Sequence, residues 1–288
     1  ADDYVGKPFD PRELVARINA VFRRQDQDRQ EAERETTRHI ERIQSDRAYA
    51  ENNLSISINK KDASIENWMD GIQGDIVLAA RDVQILGYMR DLLTLAPGEN
   101  PDILHSRIVE RFYVILYQSN RLQEIFLMNA DGIVVADTLS INEGENYQYQ
   151  EFFWQGRNGL FLNPPFYFGV VDEITIVVSY PITNPNGDTV GVLAGRANMS
   201  RFNTLVSTPD PDNPQIAFYL VDSNYDLLTS SAIGAPPRVD NEATRQAITS
   251  RSGGVIVYNN YRGEPVISVY QWIPGIRSVL MAEIPQQV

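Results

Sequence analysis

The amino-acid sequence predicts an α+β protein in which a long N-terminal helix precedes two antiparallel-sheet modules in tandem. Three observations carry that expectation. Apolar residues recur at helical spacing through the first part of the chain, and after residue 120 the period becomes that of strands. The strand-rich half then shows one pattern twice.

Composition bounds the function. With 288 residues, 43% of them hydrophobic and 22% charged, the chain reads as globular. A chain of this size buries about 75% of its unfolded surface, so its stability does not depend on disulfides. Cys is absent, which removes disulfide frameworks, thiolate zinc sites and Cys nucleophiles. The two His, His39 and His105, are far apart in sequence and poorly supply a His-rich metal site or a Ser-His-Asp triad. Residues 1–50 hold 10 basic and 11 acidic side chains and residues 51–288 hold 15 and 27, so the formal charge of −13 sits almost wholly on the later part. That charge repels a nucleic-acid duplex or an anionic membrane surface. No stretch approaches 18 consecutive apolar residues, and Ala1–Pro8 lacks the basic-then-apolar order of a signal peptide.

Residues 1–24 read as a loop and a helix, with Asp10 as N-cap, Pro11 at the first helical position and Glu13 two residues on. Leu14, Ile18, Val21 and Phe22 form its apolar stripe. Residues 25–60 mix acids and bases without Gly or Pro, as in Glu35 ahead of Arg38, which suits a solvated helix. Ile40, Ile43, Ala50 and Leu54 fit heptad spacing loosely, with Arg47 in a core slot, a weak signal for a homodimer through this helix. From Ile65 the stripe strengthens through Trp68, Met69, Ile72, Ile76, Ala79, Ala80 and Val83. The expected helix runs over about 30–92, with Gly71 and Gly74 as candidate breaks. After a Pro97-Gly98 turn, Leu104, Ile108, Phe112, Ile115 and Leu116 mark a second amphipathic helix.

The stretch EIFLMNADGIVVADT has two β-rich runs joined by Asn-Ala-Asp-Gly, a hairpin signal. At an offset of 93, Phe126-Leu127-Met128-Asn129 matches Tyr219-Leu220-Val221-Asp222, and Val134-Val135 matches Leu227-Leu228. Likewise TIVVSYPITNPNGDTVGVLAGR has a counterpart in VISVYQWIPGIRSVLMAEI, each a strand, a Pro- or Gly-containing turn and a strand. Two copies of one module follow, with a linker near 207–214.

A long helix followed by two such modules resembles the double Cache family, the PAS-like sensor regions of bacterial receptors. The likeness covers about residues 50–288. It is carried by the two hairpins, by GENYQYQEFFWQGRNGLFLNPPFYFG, and by the ending Val279-Leu280-Met281-Ala282-Glu283-Ile284-Pro285. The resemblance implies a distal module over 96–206 and a membrane-proximal one over 207–288, joined to a helical segment over 25–95. In that family transmembrane helices usually flank such a region, so it also implies an extracytoplasmic sensor on a membrane-anchored parent. The partner would then be a cytoplasmic kinase, cyclase or chemotaxis output domain. Residues 1–24, with Lys7-Pro8, are similar instead to the C-terminal end of a response-regulator receiver domain, a cytoplasmic module. The phosphoacceptor of that family would lie upstream.

The family binds small molecules in the distal module, between the sheet and its connecting loops. A pocket needs apolar walls and a few placed polar groups. The loop 144–172 offers Tyr147, Tyr149, Gln150, Phe152, Phe153, Trp154, Phe166, Tyr167 and Asp172, and the strands add Tyr180 and Arg196. Loop anchoring accounts for most such aromatics. The amino-acid-binding branch of the family carries an Arg shortly before its aromatic pair and an Asp in the last strand. Gln150 and Arg196 stand in those slots here, with Asn198 two residues on. Both charges needed to hold a zwitterion are gone, so a typical α-amino acid is disfavoured. Arg196, if it points inward, would favour an organic anion.

An enzyme is not expected, and neither a cofactor nor a metal is. Asp172-Glu173 are adjacent on one strand and point to opposite faces, while Asp210 and Asp212 read as solvated acids. His39 lacks the sequence that follows a kinase phosphoacceptor, and Asp131 with Asp137 lacks the dense oxygen ligands Ca²⁺ needs. The expectation is a ligand-sensing module relaying a conformational change through the long helix. The alternative is a structural or dimerisation domain with a degenerate pocket.

Overall fold

A computed structural model describes residues 11–96, 98–171, 173–229 and 238–286. The chain divides into two compact units, Ala1–Asn52 and Asn53–Val288, and helix α1 (Pro11–Ala80) contributes to both. In the first unit α1 is a solvated helix. Arg17 pairs with Glu13 at 2.8 Å, and Arg29 pairs with Glu33 at 3.0 Å. Such exposed pairs contribute only tenths of a kcal/mol each, on the order of 0.3–0.5. Leu14, Ile18, Val21, Phe22, Ile40 and Ile43 all stay exposed on it. The helix begins at Pro11. The Asp10 cap and Lys7-Pro8 lie outside the described residues.

In the second unit the helical stripe of α1 is buried: Leu54, Ile58, Ile65, Met69, Ile72, Ile76, Ala79 and Ala80. Gly71 and Gly74 remain helical. At Gly71 the missing side chain gives room to Arg121, whose Nε would lie 2.4 Å from a Cβ. The break falls later than expected, over 81–85, because Asp82 caps a turn with its own carboxylate. Its Oδ1 accepts from the Gln84 amide at 2.8 Å and its Oδ2 from Arg111 at 2.7 Å. A separate short helix α2 (Leu86–Leu93) follows, then α3 (Asp102–Ser119), which ends on Asn120 at φ 53°.

The first sheet contains β1 (Leu122–Asn129), β2 (Val134–Asp137), β3 (Phe161–Phe168), β4 (Glu173–Thr183) and β5 (Thr189–Ala197), in the order β2-β1-β5-β4-β3. The β1–β2 turn needs Gly132, whose φ is +81° and whose Cβ would fall 2.6 Å from the Gln148 amide nitrogen. Helix α4 (Glu151–Gly156) lies in the β2–β3 connection, and α5 (Met199–Ser207) follows β5. The second sheet contains β6 (Ala217–Asp222), β7 (Gly254–Asn259), β8 (Pro265–Ile273) and β9 (Ser278–Pro285), in the order β6-β9-β8-β7, with α6 (Glu242–Ser250) before β7.

The repeat seen in the sequence is a structural repeat. In both sheets the first strand pairs with the last: Phe126 faces Ala194, and its counterpart Tyr219 faces Met281. Helix α1 supports both sheets. Ile76 meets β5 at Gly195, where a Cβ would lie 2.4 Å from Ile76 Cδ1, and Asp62 accepts a hydrogen bond from Gln271 on β8. The segment 207–214 is tied to the same helix. Ser57 donates to the buried Asp210 at 2.6 Å and Lys60 pairs with Asp212 at 2.8 Å. No helix among the described residues is long and apolar enough to cross a membrane.

Candidate functional site

Strand alternation puts Glu124, Phe126 and Met128 of β1 on one face of the first sheet. In register with them stand Arg196, Ala194 and Val192 of β5, then Val177 and Ser179 of β4. The connection over 138–160, which contains α4, packs on this face. Its Tyr147 and Phe152 join Phe126 of β1 and Phe166 and Phe168 of β3 in a ring cluster that stacks edge-on or tilted. Phe152 lies 6.0 Å from Phe126 and 5.6 Å from Tyr147, and Phe168 lies 5.5 Å from Tyr147. Phe153 is buried in the same core.

At one end of the cluster lies a polar network. Arg196 is only 4% exposed and Glu124 is fully buried. Arg196 Nε pairs with Glu124 Oε2 at 2.5 Å, and its Nη1 pairs with Glu173. Asn142 Nδ2 donates to Glu124, and Asn142 Oδ1 accepts from the Tyr147 hydroxyl at 2.8 Å. Asp137, also fully buried, accepts from Asn142 Nδ2 at 3.3 Å. Burial pushes the Glu124 carboxyl up to about 7. Arg196 opposes that rise and the charge of Asp137 adds to it. Burial likewise raises the Tyr147 phenol, which stays a donor.

On the same face, Thr175 and Asn163 supply two polar atoms that the described residues leave without a hydrogen-bond partner. Thr175 Oγ1 and Asn163 Oδ1 are both buried. Phe166 stands opposite Thr175, and Asn163 stands opposite Val177, so both atoms border the ring cluster. Buried polar atoms without partners are few in folded proteins, and each calls for an explanation.

The residues expected to form a site are therefore sorted by the structure. Tyr147, Phe152 and Phe153 are brought together in the core, and Arg196 joins the network beside them. Tyr149 is 87% exposed, Trp154 48% and Tyr167 60%, and none of the three belongs to the buried cluster. Gln150 is the residue preceding α4 and makes no side-chain cap. Tyr180 stands opposite Leu193, on the other face of the sheet, where its hydroxyl accepts from Arg81 at 2.6 Å. Asp172 lies outside the described residues. Asn198 caps α5, its side chain accepting from the Arg201 amide.

The anion expected for Arg196 would have to compete with the chain's own side chains. The side chain does point inward, but the chain's own Glu124 and Glu173 occupy its guanidinium. An external anion would meet three carboxyl groups there, those of Glu124, Glu173 and Asp137. Glu124, Asn142, Asn163 and Thr175 were missed in the sequence. Glu124 left a signal, since it shares the parity of the apolar Leu122, Phe126 and Met128. Asn142 sits in an irregular connection, where no period announces which side chains turn inward. Among the described residues, no group of three or more His, Asp or Glu is placed to hold a metal ion. Asp131 is exposed while Asp137 is bound into the network, so the two do not form a site.

No family model matches the chain, and no curated protein does. Solved structures do. The sensor domain of the V. cholerae histidine kinase DctB is similar at 12% identity, with a TM-score of 0.58 over 82% of this chain and 97% of that one. The ligand-binding domain of the Pseudomonas fluorescens chemoreceptor CtaA, in complex with L-serine, is similar at 14% identity, with a TM-score of 0.57 over 83% and 98%. That of the Campylobacter jejuni chemoreceptor Tlp3, with 4-methylisoleucine, is similar at 12% identity and a TM-score of 0.56 over 81% and 90%. At these identities the likeness shows the fold. It is the fold of sensor domains of histidine kinases and chemoreceptors, a long helix with two antiparallel-sheet modules, as the double Cache resemblance implied.

Proposed function

We propose that this chain is the sensor region of a bacterial signal-transduction receptor and that its first module, built on β1–β5, binds a small polar molecule. The observation that carries this reading is the pair of buried, unpartnered atoms Thr175 Oγ1 and Asn163 Oδ1 beside an aromatic wall. A ligand carrying hydroxyl or amide N–H donors would satisfy both. The carboxyl groups of Glu124, Glu173 and Asp137 disfavour an anionic ligand, and the engagement of Arg196 by Glu124 and Glu173 disfavours an α-amino acid. No catalysis is assigned. The region would sit outside the cytoplasmic membrane and act on an output domain of the parent receptor. Helix α1 is the relay, because it packs on both sheets through Ile76 and Asp62. The exposed apolar residues over 11–52 suit a second copy of the helix in a homodimer.

The test is thermal melting of the purified chain against polyols, amides, amines, organic acids and amino acids. A ligand at 100 times its Kd adds about 2.7 kcal/mol, a shift of roughly 5–10 °C for a domain of this size. A selective shift with an uncharged donor-bearing compound, abolished by Thr175→Val, is expected. A flat panel overturns the reading. It would favour a second one, a structural domain whose site is degenerate, which the close packing of Phe126, Tyr147, Phe152, Phe166 and Phe168 supports.

A further inference from the structure

The second sheet holds a buried carboxylate that forms no ion pair with the described residues. Glu283 on β9 is 3% exposed. Its Oε1 accepts from the Tyr219 hydroxyl at 2.5 Å and from the Tyr258 hydroxyl, and its Oε2 accepts from Asn260 Nδ2 at 3.2 Å. All three donors are neutral. Burial and the Glu283 charge both raise the Tyr219 phenol, so that hydroxyl stays protonated and donating. Among the described residues no ion pair reaches Glu283. Residues 230–237, outside the description, contain no Lys or Arg. The hydrogen bond to Tyr261 raises the Arg262 guanidinium, as do the charges of Glu264 and Glu283 through space, but it makes no ion pair with Glu283. It lies over the Tyr261 ring, 5.2 Å from the centroid, and donates to the Tyr261 hydroxyl at 3.1 Å.

A buried charge is normally paired, because removing it from water costs several kcal/mol otherwise. A carboxylate has about four lone-pair sites, and three are used here, two of them on Oε1. Directly opposite Glu283 in the β8–β9 register stands Ser268, fully buried, whose Oγ has no partner among the described residues. Residues opposite each other across an antiparallel pair share a face, so Ser268 and the open side of Glu283 look into one place. The Tyr219 ring, whose hydroxyl reaches Glu283, packs against the Tyr261 ring with centroids 5.3 Å apart. One charge, one unused acceptor and electron-rich ring faces are what an N–H-bearing organic cation requires. A lone carboxylate is too few oxygens for Ca²⁺.

We propose that Glu283 and Ser268 form a second ligand site, in the β6–β9 module, for a small protonated amine. The ammonium donates to Glu283 Oε2 and to Ser268 Oγ and lies against the Tyr rings. This site is independent of the one proposed for the β1–β5 module.

Calorimetric titration of the full chain with butylammonium chloride tests it, with sodium butyrate as the charge-reversed control. Saturable binding of butylammonium alone is expected. Glu283→Gln should abolish it, Ser268→Ala should weaken it about tenfold, and Thr175→Val should leave it unchanged. Absence of butylammonium binding up to about 10 mM overturns the proposal, as does equal binding by Glu283→Gln. If Glu283→Gln fails to fold by circular dichroism, Ser268→Ala decides, and unchanged affinity in that variant is the contrary result. Loss of binding in Thr175→Val would move the site to the other module and also contradict it.

Discussion

Arg196 and Glu283 occupy the same place in their two sheets. Each lies on the last strand, two residues beyond the partner of a matched aromatic, Ala194 opposite Phe126 and Met281 opposite Tyr219. The repeat has kept a buried charge at this position and reversed its sign. In the first module two glutamates pair with it. In the second, three neutral donors hold it and no ion pair among the described residues reaches it.

Removing Arg196 should be costly in a way that its removal together with its partner is not. Arg196→Met leaves Glu124 buried without its counter-charge, a loss of about 3–5 kcal/mol by the usual cost of breaking a buried pair. The double variant Arg196→Met/Glu124→Leu should recover a good part of that. Urea unfolding of the four proteins of this cycle checks it, and strictly additive losses would contradict the pairing.

Glu124 should make the protein less stable as pH rises. Its folded pKa, about 7, lies above the ordinary 4.5, so the folded state holds a proton that the unfolded state has released. Stability from this group is therefore full below about 4.5 and is lost as pH rises to about 7, a difference on the order of 3 kcal/mol. Unfolding free energies at the two ends of that window should differ between the wild type and Glu124→Gln in this sense. A flat difference across the window would count against it.

The aromatics of the 144–172 loop should separate by burial. Phe152→Ala, in the ring cluster, should cost about 3–5 kcal/mol. Tyr149→Ala, largely exposed, should cost under about 1 kcal/mol, and Trp154→Ala, half-exposed, should fall between the two. Melting temperatures suffice to rank the three, and equal losses would mean that the loop packs differently.

Close approach of α1 to the first sheet rests on Gly195. Gly195→Ala places a methyl group against Ile76, at a cost of about 1–3 kcal/mol from overpacking. Ile76→Val should be less harmful in that background than in the wild type. The sign of the coupling, read from a double-mutant cycle, is the check.

The fold was legible because its signals are periodic. The Ile65–Ala80 stripe, the Asn129–Gly132 turn and the offset of 93 each come from spacing that burial imposes, and all three reappear in the structure. The helix break was misplaced because intrinsic Gly propensity is weak beside packing: Gly71 is helical against Arg121, whereas Asp82 ends the helix through its own side chain. The site was less legible for a related reason. Composition alone does not distinguish Phe152, which faces the sheet, from Trp154 two residues later, which does not. Nor does one Arg reveal that Glu124, 72 positions earlier, already holds it.

The account's central claim is that the first module reads the ligand. The most direct measurement is amide hydrogen exchange by mass spectrometry, with and without the uncharged compound that most raises the melting temperature. Protection concentrated in 138–160 and in β3 and β4, extending into residues 65–80 of α1, is the predicted result. Protection confined to β6–β9, or spread evenly over both sheets, would contradict it.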